Sequence, residues 1–272
     1  MSQPLAVSSV KEELRWNING CLIGVNFREL GGYSTINGKH VKWHKILRSG
    51  NMTDLTDNDL QFLTDYGLRI DVDFRSPAET EYYADRYPEK AAYVNLPVYP
   101  FSKSLFKNLG IVNYMKMKID DRDYADQSYV QMLVDQHARM AYQRMFELLL
   151  ASDKPDQGLV FHCSAGKDRT GVAAFLILSA LQVKPAEILK DYLLTNLFFE
   201  GASATEINHL VTNDARNALA DKLNSNLAVS SENFKVLERT CKTVASSMDE
   251  YFGKYLGLTP AKLEKLRAIY LE

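Results

Sequence analysis

Apolar and polar residues in the first 170 positions follow two different periods. Segments in which they alternate predict strands over 68–74 and 93–98, and a short apolar run predicts another over 159–161. Segments with a helical period lie beside these strands and predict helices at about 56–66, 78–84 and 128–151. Because strands that alternate with helices are typical of an α/β domain, we expect a central sheet flanked by helices.

Beyond residue 170 the period stays helical to the end of the chain. Pro185 and Pro260 suit the first turn of a helix, and Thr259 suits the capping position before it. The predicted helices lie at 170–181, 185–198, about 204–222, 232–252 and 260–271. The fold class expected from the pattern is therefore α/β with a helical C-terminal half.

Turn and capping residues divide the N-terminal part of the chain. Asn37-Gly38, between two alternating segments, is a strong hairpin signal. Thr56 and Asp59 form a capping-box pattern ahead of the first predicted helix, and Gly67 is suited to end that helix.

Composition narrows the classes of protein that the chain can represent. The 272 residues are 46% hydrophobic and 24% charged with a net charge of −2, so no nucleic-acid partner is expected. Cys21, Cys163 and Cys241 are too few for a disulfide framework and favour a reducing compartment. No segment has the ~18 apolar residues of a membrane helix, and residues 1–10 lack a signal-peptide pattern. We expect a cytoplasmic protein without stable membrane insertion, and secretion stays open.

One run, residues 162–171 with the sequence HCSAGKDRTG, concentrates the candidate chemistry. It lies between a predicted strand and a predicted helix, and it carries Cys163 and Arg169 six positions apart. Backbone N–H groups in such a loop converge on an anion, and the helix dipole adds positive potential. The same environment stabilises a thiolate, and an arginine binds two phosphate oxygens at once. This pattern predicts the active site of a cysteine-dependent phosphatase.

The residue types in this loop suit a two-step displacement. Cys163 attacks phosphorus to give a cysteinyl-phosphate that water then hydrolyses, while Arg169 and the backbone stabilise the charged oxygens. His162 and Thr170 are expected to support the loop. Lys167 adds a charge suited to substrates with more than one phosphate, unless it is an ordinary surface lysine. No metal or cofactor is expected, and the residues expected to bind the phosphate are Ser164, Ala165, Gly166, Lys167, Asp168 and Arg169.

The sequence excludes two other interpretations of this run, a nucleotide-binding loop and a zinc site. Asp168 stands where a nucleotide-binding Walker loop has serine or threonine after Gly166-Lys167. No second cysteine or histidine lies at zinc-ligand spacing from Cys163. The alternative to a catalytic role for Cys163 is that its thiol is buried and inert.

Residues 101–127 follow neither period. Lysines at 103, 107, 116 and 118 precede aspartates at 120, 121, 123 and 126, with aromatic residues and methionines among them. We interpret this segment as a partly helical insertion that lies over or beside the loop, the alternative being a solvated connector. The whole chain, 1–272, is then a single domain with a lid-like insertion at about 101–127.

The run 162–171 resembles the signature of the tyrosine phosphatase superfamily, and its AGKDRTG form is similar to that of the bacterial tyrosine and lipid phosphatases. Segments along nearly the whole chain are also similar to this family: NFRELGGY at 26–33, DFRS at 73–76, DYLLTN at 191–196, and the end at 251–258. Glu29 and Phe74 depart from it, since the family more often has aspartate and leucine there. The resemblance implies a tyrosine-phosphatase-like central sheet flanked by helices.

The resemblance also implies a carboxylic acid that protonates the leaving oxygen. Asp73 stands at the family's Asp-Leu-Arg position, at the end of a predicted strand, and is favoured. Asp168 and an aspartate of the run 120–126 are the other candidates. Arg75 is expected to hold Asp73 or the loop by an ion pair, and the segment 26–33 is expected to be scaffold.

Three hypotheses of function follow. The first is a protein-tyrosine phosphatase with reach to phosphoserine, phosphothreonine and phosphoinositides, a breadth that the resemblance implies. Its partners are a phosphorylated protein or a phosphoinositide, with phosphate or another oxyanion in the loop. The second is an inositol-polyphosphate phosphatase with the same chemistry. The third is a module that binds phosphate without turnover.

Overall fold

The computed structural model describes residues 26–117, 124–196 and 229–272. Within these ranges, five strands form one sheet with β5 at its centre. The strands are β1 (Arg28–Glu29), β2 (Ile46–Ser49), β3 (Leu68–Asp73), β4 (Ala92–Asn95) and β5 (Gly158–His162). The predicted α/β fold class is confirmed.

The strand order brings three chain segments to one edge of the sheet. The order is β1-β2-β5-β3-β4, in which β1 is antiparallel to β2 and the other pairs are parallel. His162, the last residue of β5, pairs with Ser49 on β2 and with Asp73 on β3. Because parallel strands end at the same edge, the segments that follow β2, β3 and β5 meet around Cys163.

Both faces of the sheet are covered by hydrophobic packing. Along β5, Leu159 and Phe161 belong to the larger core, whereas Val160 belongs to the smaller core on the other face. This alternation is expected of a strand that is buried on both sides. All residues of β5 are buried, so the strand is a firm base for the residues that follow it.

Helices flank the sheet and fill the C-terminal part of the chain. They are α1 (Asp57–Tyr66), α2 (Pro77–Tyr82), α3 (Leu105–Met117), α4 (Tyr124–Val134), α5 (Gln136–Ala151), α6 (Arg169–Ala180), α7 (residues 185–196), α8 (Ser231–Val244), α9 (Met248–Leu256) and α10 (Pro260–Tyr270). The predicted capping box of Thr56 and Asp59 begins α1, and Gly67 ends it at φ +94°. Thr259 caps α10 as predicted. The predicted helix 204–222 lies outside the described residues.

Two long helices predicted from periodicity are each divided in two. The predicted helix 128–151 is interrupted at Asp135, whose side chain accepts hydrogen bonds from backbone N–H groups at the start of α5. The predicted helix 232–252 is interrupted at Ala245, which is extended, and Ser247 caps α9. Periodicity missed both breaks because the apolar spacing continues across the capping residues.

The predicted turn at Asn37-Gly38 is present. The N–H of Thr35 donates to the carbonyl of Lys39 at 2.8 Å, and Gly38 has φ +79°. The segments on either side of this turn form an antiparallel bridge between Ser34 and His40, and beyond it the N–H of Gly32 donates to the carbonyl of Val41 at 2.8 Å.

The segment 101–127 contains α3, which is kinked at Gly110, and the beginning of α4, while 118–123 lie outside the described residues. Its helical content agrees with the expectation, and the lid-like role and the single domain over 1–272 stay predictions. In the part of the chain that the structure describes, no helix has both the length and the apolar character needed to cross a membrane.

Candidate active site

Residues 163–168 form a loop between β5 and α6. Cys163 directly follows β5 and is 2% exposed, and Arg169 is the first residue of α6. Nearly every residue of α6 is buried, so the N-terminus of this helix is fixed beneath the loop. Backbone N–H groups and the helix dipole favour an anion at such a position, so this loop, which joins the predicted nucleophile to the predicted arginine, is suited to bind one.

Gly166 allows the loop to turn tightly against the segment after β2. It has φ +68°, and a Cβ there would lie 2.5 Å from the carbonyl oxygen of Ser49 and 2.6 Å from the nitrogen of Gly50. Both the left-handed conformation and this contact exclude a side chain. The backbone N–H of Asn51 donates to the carbonyl of Ser164 at 2.9 Å, which ties the loop to the same segment.

Two buried side chains from the N-terminal part hold the outside of the loop. Nδ2 of Asn26 and one terminal nitrogen of Arg48 each donate to the carbonyl oxygen of Gly166 at 2.8 Å. In a trans peptide the N–H points away from the C=O. A carbonyl held on the outside therefore orients the following N–H toward the interior of the loop.

Asp191 on α7 anchors the arginines of this scaffold. Its carboxylate accepts a hydrogen bond from Nε of Arg28 at 2.9 Å and another from Arg48, and all three side chains are buried. Burial acts to raise the pKa of Asp191, but the two guanidinium groups outweigh burial and hold that pKa below its usual value. These contacts agree with the scaffold role predicted for residues 26–33.

Arg169 is held in place by Glu79 of α2. Its two terminal nitrogens donate to the two carboxylate oxygens of Glu79 at 2.8 Å each. Oγ of Ser164 donates to the same carboxylate at 2.5 Å. The hydrogen bonds from Arg169 above all hold the pKa of Glu79 well below its usual range. Glu79 therefore pairs with both terminal nitrogens of Arg169, and Nε lies outside this pair.

The sequence analysis did not identify Glu79. This residue belongs to the capping box of α2, in which its carboxylate accepts hydrogen bonds from the N–H and Oγ of Ser76. The Ser76-x-x-Glu79 pattern is visible in the sequence and predicts a helix start. Nothing local indicates that the same carboxylate reaches Arg169, 90 positions further along the chain.

Aromatic side chains surround the mouth of the loop. The ring of Tyr99 lies 4.8 Å from Cζ of Arg169, a cation–π contact. A pocket of about 500 Å³ opens beside the loop, and Tyr82 and Tyr83, which line it, are 81% and 64% exposed. The residues that line this pocket are Asn51, Arg75, Ala78, Glu79, Tyr82, Tyr83 and Ser164.

Asp168 is half-buried within the loop, directly before Arg169. The hydroxyl of Tyr129 on α4 donates to Oδ1 of Asp168 at 2.5 Å, and the hydroxyl of Tyr192 donates to that of Tyr129 at 2.8 Å. The structure therefore gives Asp168 a hydrogen-bond donor from α4.

Asp73, the favoured acid, lies at the end of β3 and is fully buried. Arg75 donates to its carboxylate from Nε at 3.0 Å and from a terminal nitrogen at 2.8 Å, and the hydroxyl of Tyr93 donates at 2.9 Å. The predicted ion pair between Arg75 and Asp73 is thus present. These partners occupy both carboxylate oxygens of Asp73.

His162 is fully buried directly before Cys163. Its Nδ1 lies 3.3 Å from the carbonyl oxygen of Cys163, and its Nε2 lies 3.1 Å from Oδ1 of Asp71 and 3.2 Å from Oδ2 of Asp85. Burial acts to lower the pKa of His162, but the two carboxylates outweigh burial and hold that pKa well above its usual value. The ring thus contacts the backbone of Cys163 on one side and the two carboxylates on the other, and the supporting role of His162 stays a prediction.

The remaining predicted loop residues are where the sequence indicated. Ala165 and Lys167 are half-buried within the loop. Thr170 lies in the first turn of α6, buried, and among the described residues its hydroxyl has no hydrogen-bond partner.

The other residues singled out from the sequence lie away from the loop or outside the description. Aspartates 120, 121 and 123 are not among the described residues, and Asp126 accepts a hydrogen bond from Asn233 of α8 at 3.2 Å. Cys241 is a core residue as predicted, and burial raises the pKa of its thiol. Cys21 lies outside the described residues.

Replacing Glu79 by glutamine is expected to lower kcat/KM by about 10- to 100-fold. Glutamine keeps the shape but loses the charge, so the pair with Arg169 loses hydrogen bonds worth about 1.5–3 kcal/mol. Steady-state kinetics with an aryl phosphate measure the effect. Glu81→Gln, an exposed change on the same helix, is the control and should leave the rate unchanged. Equal rates for the two variants would contradict a positioning role for Glu79.

In this structure a cysteine at a strand end and an arginine at a helix start are joined by one loop, the arrangement that the sequence analysis predicts for a cysteine-dependent phosphatase. The family model described as the tyrosine phosphatase family matches residues 21–272 of the chain. The chain therefore belongs to the tyrosine phosphatase family.

Two bacterial relatives are similar to parts of the chain. A protein of Cupriavidus necator, described by inference as a tyrosine-protein phosphatase, is 33% identical over 171 residues, which are 63% of this chain and 60% of the relative. A tyrosine-protein phosphatase of Nostoc commune is 29% identical over 156 residues, which are 57% of this chain and 50% of the relative. The chain thus spans only part of the length of these relatives.

Proposed function

We propose that this protein is a cysteine-dependent phosphatase that hydrolyses phosphotyrosine and also accepts phosphoserine, phosphothreonine and phosphoinositides. The observation that carries the proposal is the loop of residues 163–168, which joins Cys163 at the end of β5 to Arg169 at the start of α6. Membership of the tyrosine phosphatase family supports the same chemistry.

The proposed reaction has two displacements at phosphorus. In the first, the thiolate of Cys163 forms a bond to phosphorus while the bond to the leaving oxygen breaks, and an acid protonates that oxygen. In the second, water attacks the cysteinyl-phosphate and the bond from sulfur to phosphorus breaks, which restores the thiolate and releases phosphate. Arg169 and the loop N–H groups stabilise the charged oxygens in both transition states.

We propose Asp168 rather than Asp73 as the acid. Asp168 is half-buried in the loop beside Arg169, whereas Asp73 is fully buried with both oxygens bonded to Arg75 and Tyr93. A carboxylate that is buried with donors on both of its oxygens has no oxygen directed at the leaving group. The contact with Tyr129 orients Asp168, and the same carboxylate then accepts a proton from the attacking water.

The pocket beside the loop supports an aromatic ester as the main substrate. Tyr82 and Tyr83 line it, Tyr99 lies against Arg169, and such rings stack on a phenyl group. Its volume of about 500 Å³ suits a side chain rather than a bare ion. Lys167 adds a positive charge in the loop, which supports phosphoinositides as further substrates.

A panel assay tests the substrate class. We expect kcat/KM to be highest for a phosphotyrosine peptide, with lower turnover of a phosphoserine peptide and a phosphoinositide. Lys167→Gln should lower turnover of the phosphoinositide more than that of the peptide. Higher kcat/KM for inositol hexakisphosphate would instead favour an inositol-polyphosphate phosphatase. Binding of these compounds without release of phosphate would favour a binding module and contradict the proposal.

Replacing Asp168 by asparagine should lower kcat by about 10²- to 10⁴-fold for aryl phosphates with poor leaving groups and much less for good ones. The reason is that only a poor leaving group needs a proton in the transition state. Rates across a series of aryl phosphates measure this dependence.

Asp73→Asn is the matched comparison for Asp168→Asn. It should lower the Tm, because the charge of Arg75 loses its buried partner, and it should keep the leaving-group dependence of the wild type. A steep dependence in Asp73→Asn together with a normal one in Asp168→Asn would return the acid role to Asp73.

A further inference from the structure

Behind the loop, three side chains with metal-binding chemistry converge in the interior. One oxygen each of Asp71 and Asp85 and one ring nitrogen of His162 all lie within 4.8 Å of one another. Asp71 comes from β3, Asp85 from the segment after α2, and His162 from the end of β5. Asp71 and His162 are completely buried, so this cluster is unlike the solvated acidic clusters of protein surfaces.

The polar atoms of this cluster lack the partners that burial demands. Both carboxylate oxygens of Asp71, and Nε2 of His162, have no hydrogen-bond partner among the described residues. Nε2 lies 3.1 and 3.2 Å from the nearest oxygens of Asp71 and Asp85, but the geometry of a hydrogen bond is met with neither. Since an unpaired buried carboxylate is costly, a group that satisfies these atoms together is expected between them.

The charges of the cluster leave a deficit of two. Arg75 forms ion pairs with both Asp73 and Asp85, so its single positive charge offsets only one of the three carboxylates of Asp71, Asp73 and Asp85. Two negative charges then remain uncompensated in the interior. A proton on Nε2 of His162 would supply one positive charge, and a divalent cation would supply both.

We propose that Asp71, Asp85 and His162 bind a divalent cation of the zinc class. Zinc takes imidazole and carboxylate ligands at about 2.0–2.2 Å in a tetrahedral arrangement, in which ligand atoms lie about 3.3 Å apart. The separations of 3.1 and 3.2 Å around Nε2 fit this arrangement. Zinc-ligand spacing in the sequence gave no sign of the site, because two of its ligands are carboxylates far from His162 along the chain.

The surroundings of the ligands match those of metal sites. A metal-bound histidine commonly donates its other ring N–H to a carbonyl or carboxylate. Nδ1 of His162 lies 3.3 Å from the carbonyl oxygen of Cys163, which fixes the ring with Nε2 toward the carboxylates. Asp85 is likewise oriented by the N–H of Met52 at 2.9 Å and by Arg75. Both oxygens of Asp71 have no partner among the described residues, whereas Oδ2 of Asp85, the oxygen nearest Nε2 of His162, is shared with Arg75.

The site is structural. Asp71 and His162 are fully buried, so a substrate in the pocket beside the loop does not reach the cation. The cation joins the end of β3, the segment after α2 and the residue before Cys163. It therefore fixes the strand end from which the loop begins, and it takes no part in the displacement at phosphorus.

Zinc content measured on untagged Cys163→Ser protein tests the proposal, because this background removes the thiolate, a competing zinc ligand. After exposure to Zn²⁺ and gel filtration we expect about one zinc per chain, and a Tm raised by about 5–10 °C at saturating Zn²⁺. Adding Asp71→Asn should lower zinc affinity by at least about 100-fold and abolish the Tm shift. Adding Asp65→Asn, an exposed change of the same chemistry, is the control and should retain both.

X-ray absorption of the zinc-loaded Cys163→Ser protein keeps the test decisive if the Asp71 variant fails to fold. We expect nitrogen and oxygen neighbours at about 2.0–2.1 Å and no sulfur neighbour at about 2.3 Å. A sulfur neighbour would assign the zinc to a remaining cysteine and overturn the proposal. Absence of retained zinc and of any Tm shift, with His162 carrying protons on both ring nitrogens by NMR, would also overturn it.

Discussion

Cys163→Ser protein is expected to release no measurable phosphate from aryl phosphates, with kcat lower by at least about 10⁴-fold. A serine hydroxyl is not ionised near neutral pH, so it needs a neighbouring base to become a nucleophile. His162, the adjacent histidine, points its Nε2 at Asp71 and Asp85 behind the loop and is not available for that role. Initial rates of phosphate release measure the loss.

Oxyanion binding separates loss of the nucleophile from loss of the loop. Because the loop N–H groups and Arg169 remain in the Cys163→Ser protein, its affinity for phosphate or vanadate should stay within about tenfold of the wild type. Cys241→Ser is the control, since Cys241 lies in the core and should not affect the rate. Retained turnover in Cys163→Ser would mean that the thiol is not the nucleophile.

Arg169→Lys is expected to lower kcat/KM by about 10³-fold, the second largest effect. The guanidinium pairs with Glu79 through its two terminal nitrogens, and a lysine has only a single point of charge. Loss of one preorganised donor to a charged transition state costs about 10²- to 10³-fold, and misplacement of the remaining charge adds to this. Kinetics with a phosphotyrosine peptide measure the change.

The matched control for Arg169→Lys is Arg144→Lys, an exposed position on α5. It should leave kcat/KM unchanged. Combining Glu79→Gln with Arg169→Lys should cost little more than Arg169→Lys alone, because Glu79 acts through the arginine. Fully additive losses in the double variant would contradict that coupling.

The parts of the site that are local in sequence could be predicted. The spacing of Cys163 and Arg169, with Gly166 between them, predicts a tight anion-binding loop, because the backbone turn requires the glycine and phosphate chemistry requires the other two residue types. The strand before the loop and the helix after it could be predicted from periodicity, because their apolar patterns are also local in sequence. The fold class followed from the alternation of such elements.

The parts that depend on distant partners could not be predicted. Glu79 looked only like a capping residue, and its contact with Arg169 exists because the segments after β3 and β5 meet at one sheet edge. Asp73 was favoured as the acid from its position in a motif, but its complete burial and its hydrogen bond from Tyr93 are visible only in three dimensions. The break at Asp135 likewise depends on hydrogen bonds that periodicity does not register.

The most direct test of the central claim is detection of a phosphoryl group on Cys163 during turnover. Protein mixed with a phosphotyrosine peptide is quenched in denaturant within the first turnover and mapped by mass spectrometry of its peptides. We predict that the peptide containing residue 163 gains one phosphoryl group before steady state and that this species is absent from Cys163→Ser. Phosphate release without that species, or a phosphoryl group on another residue, would contradict the account.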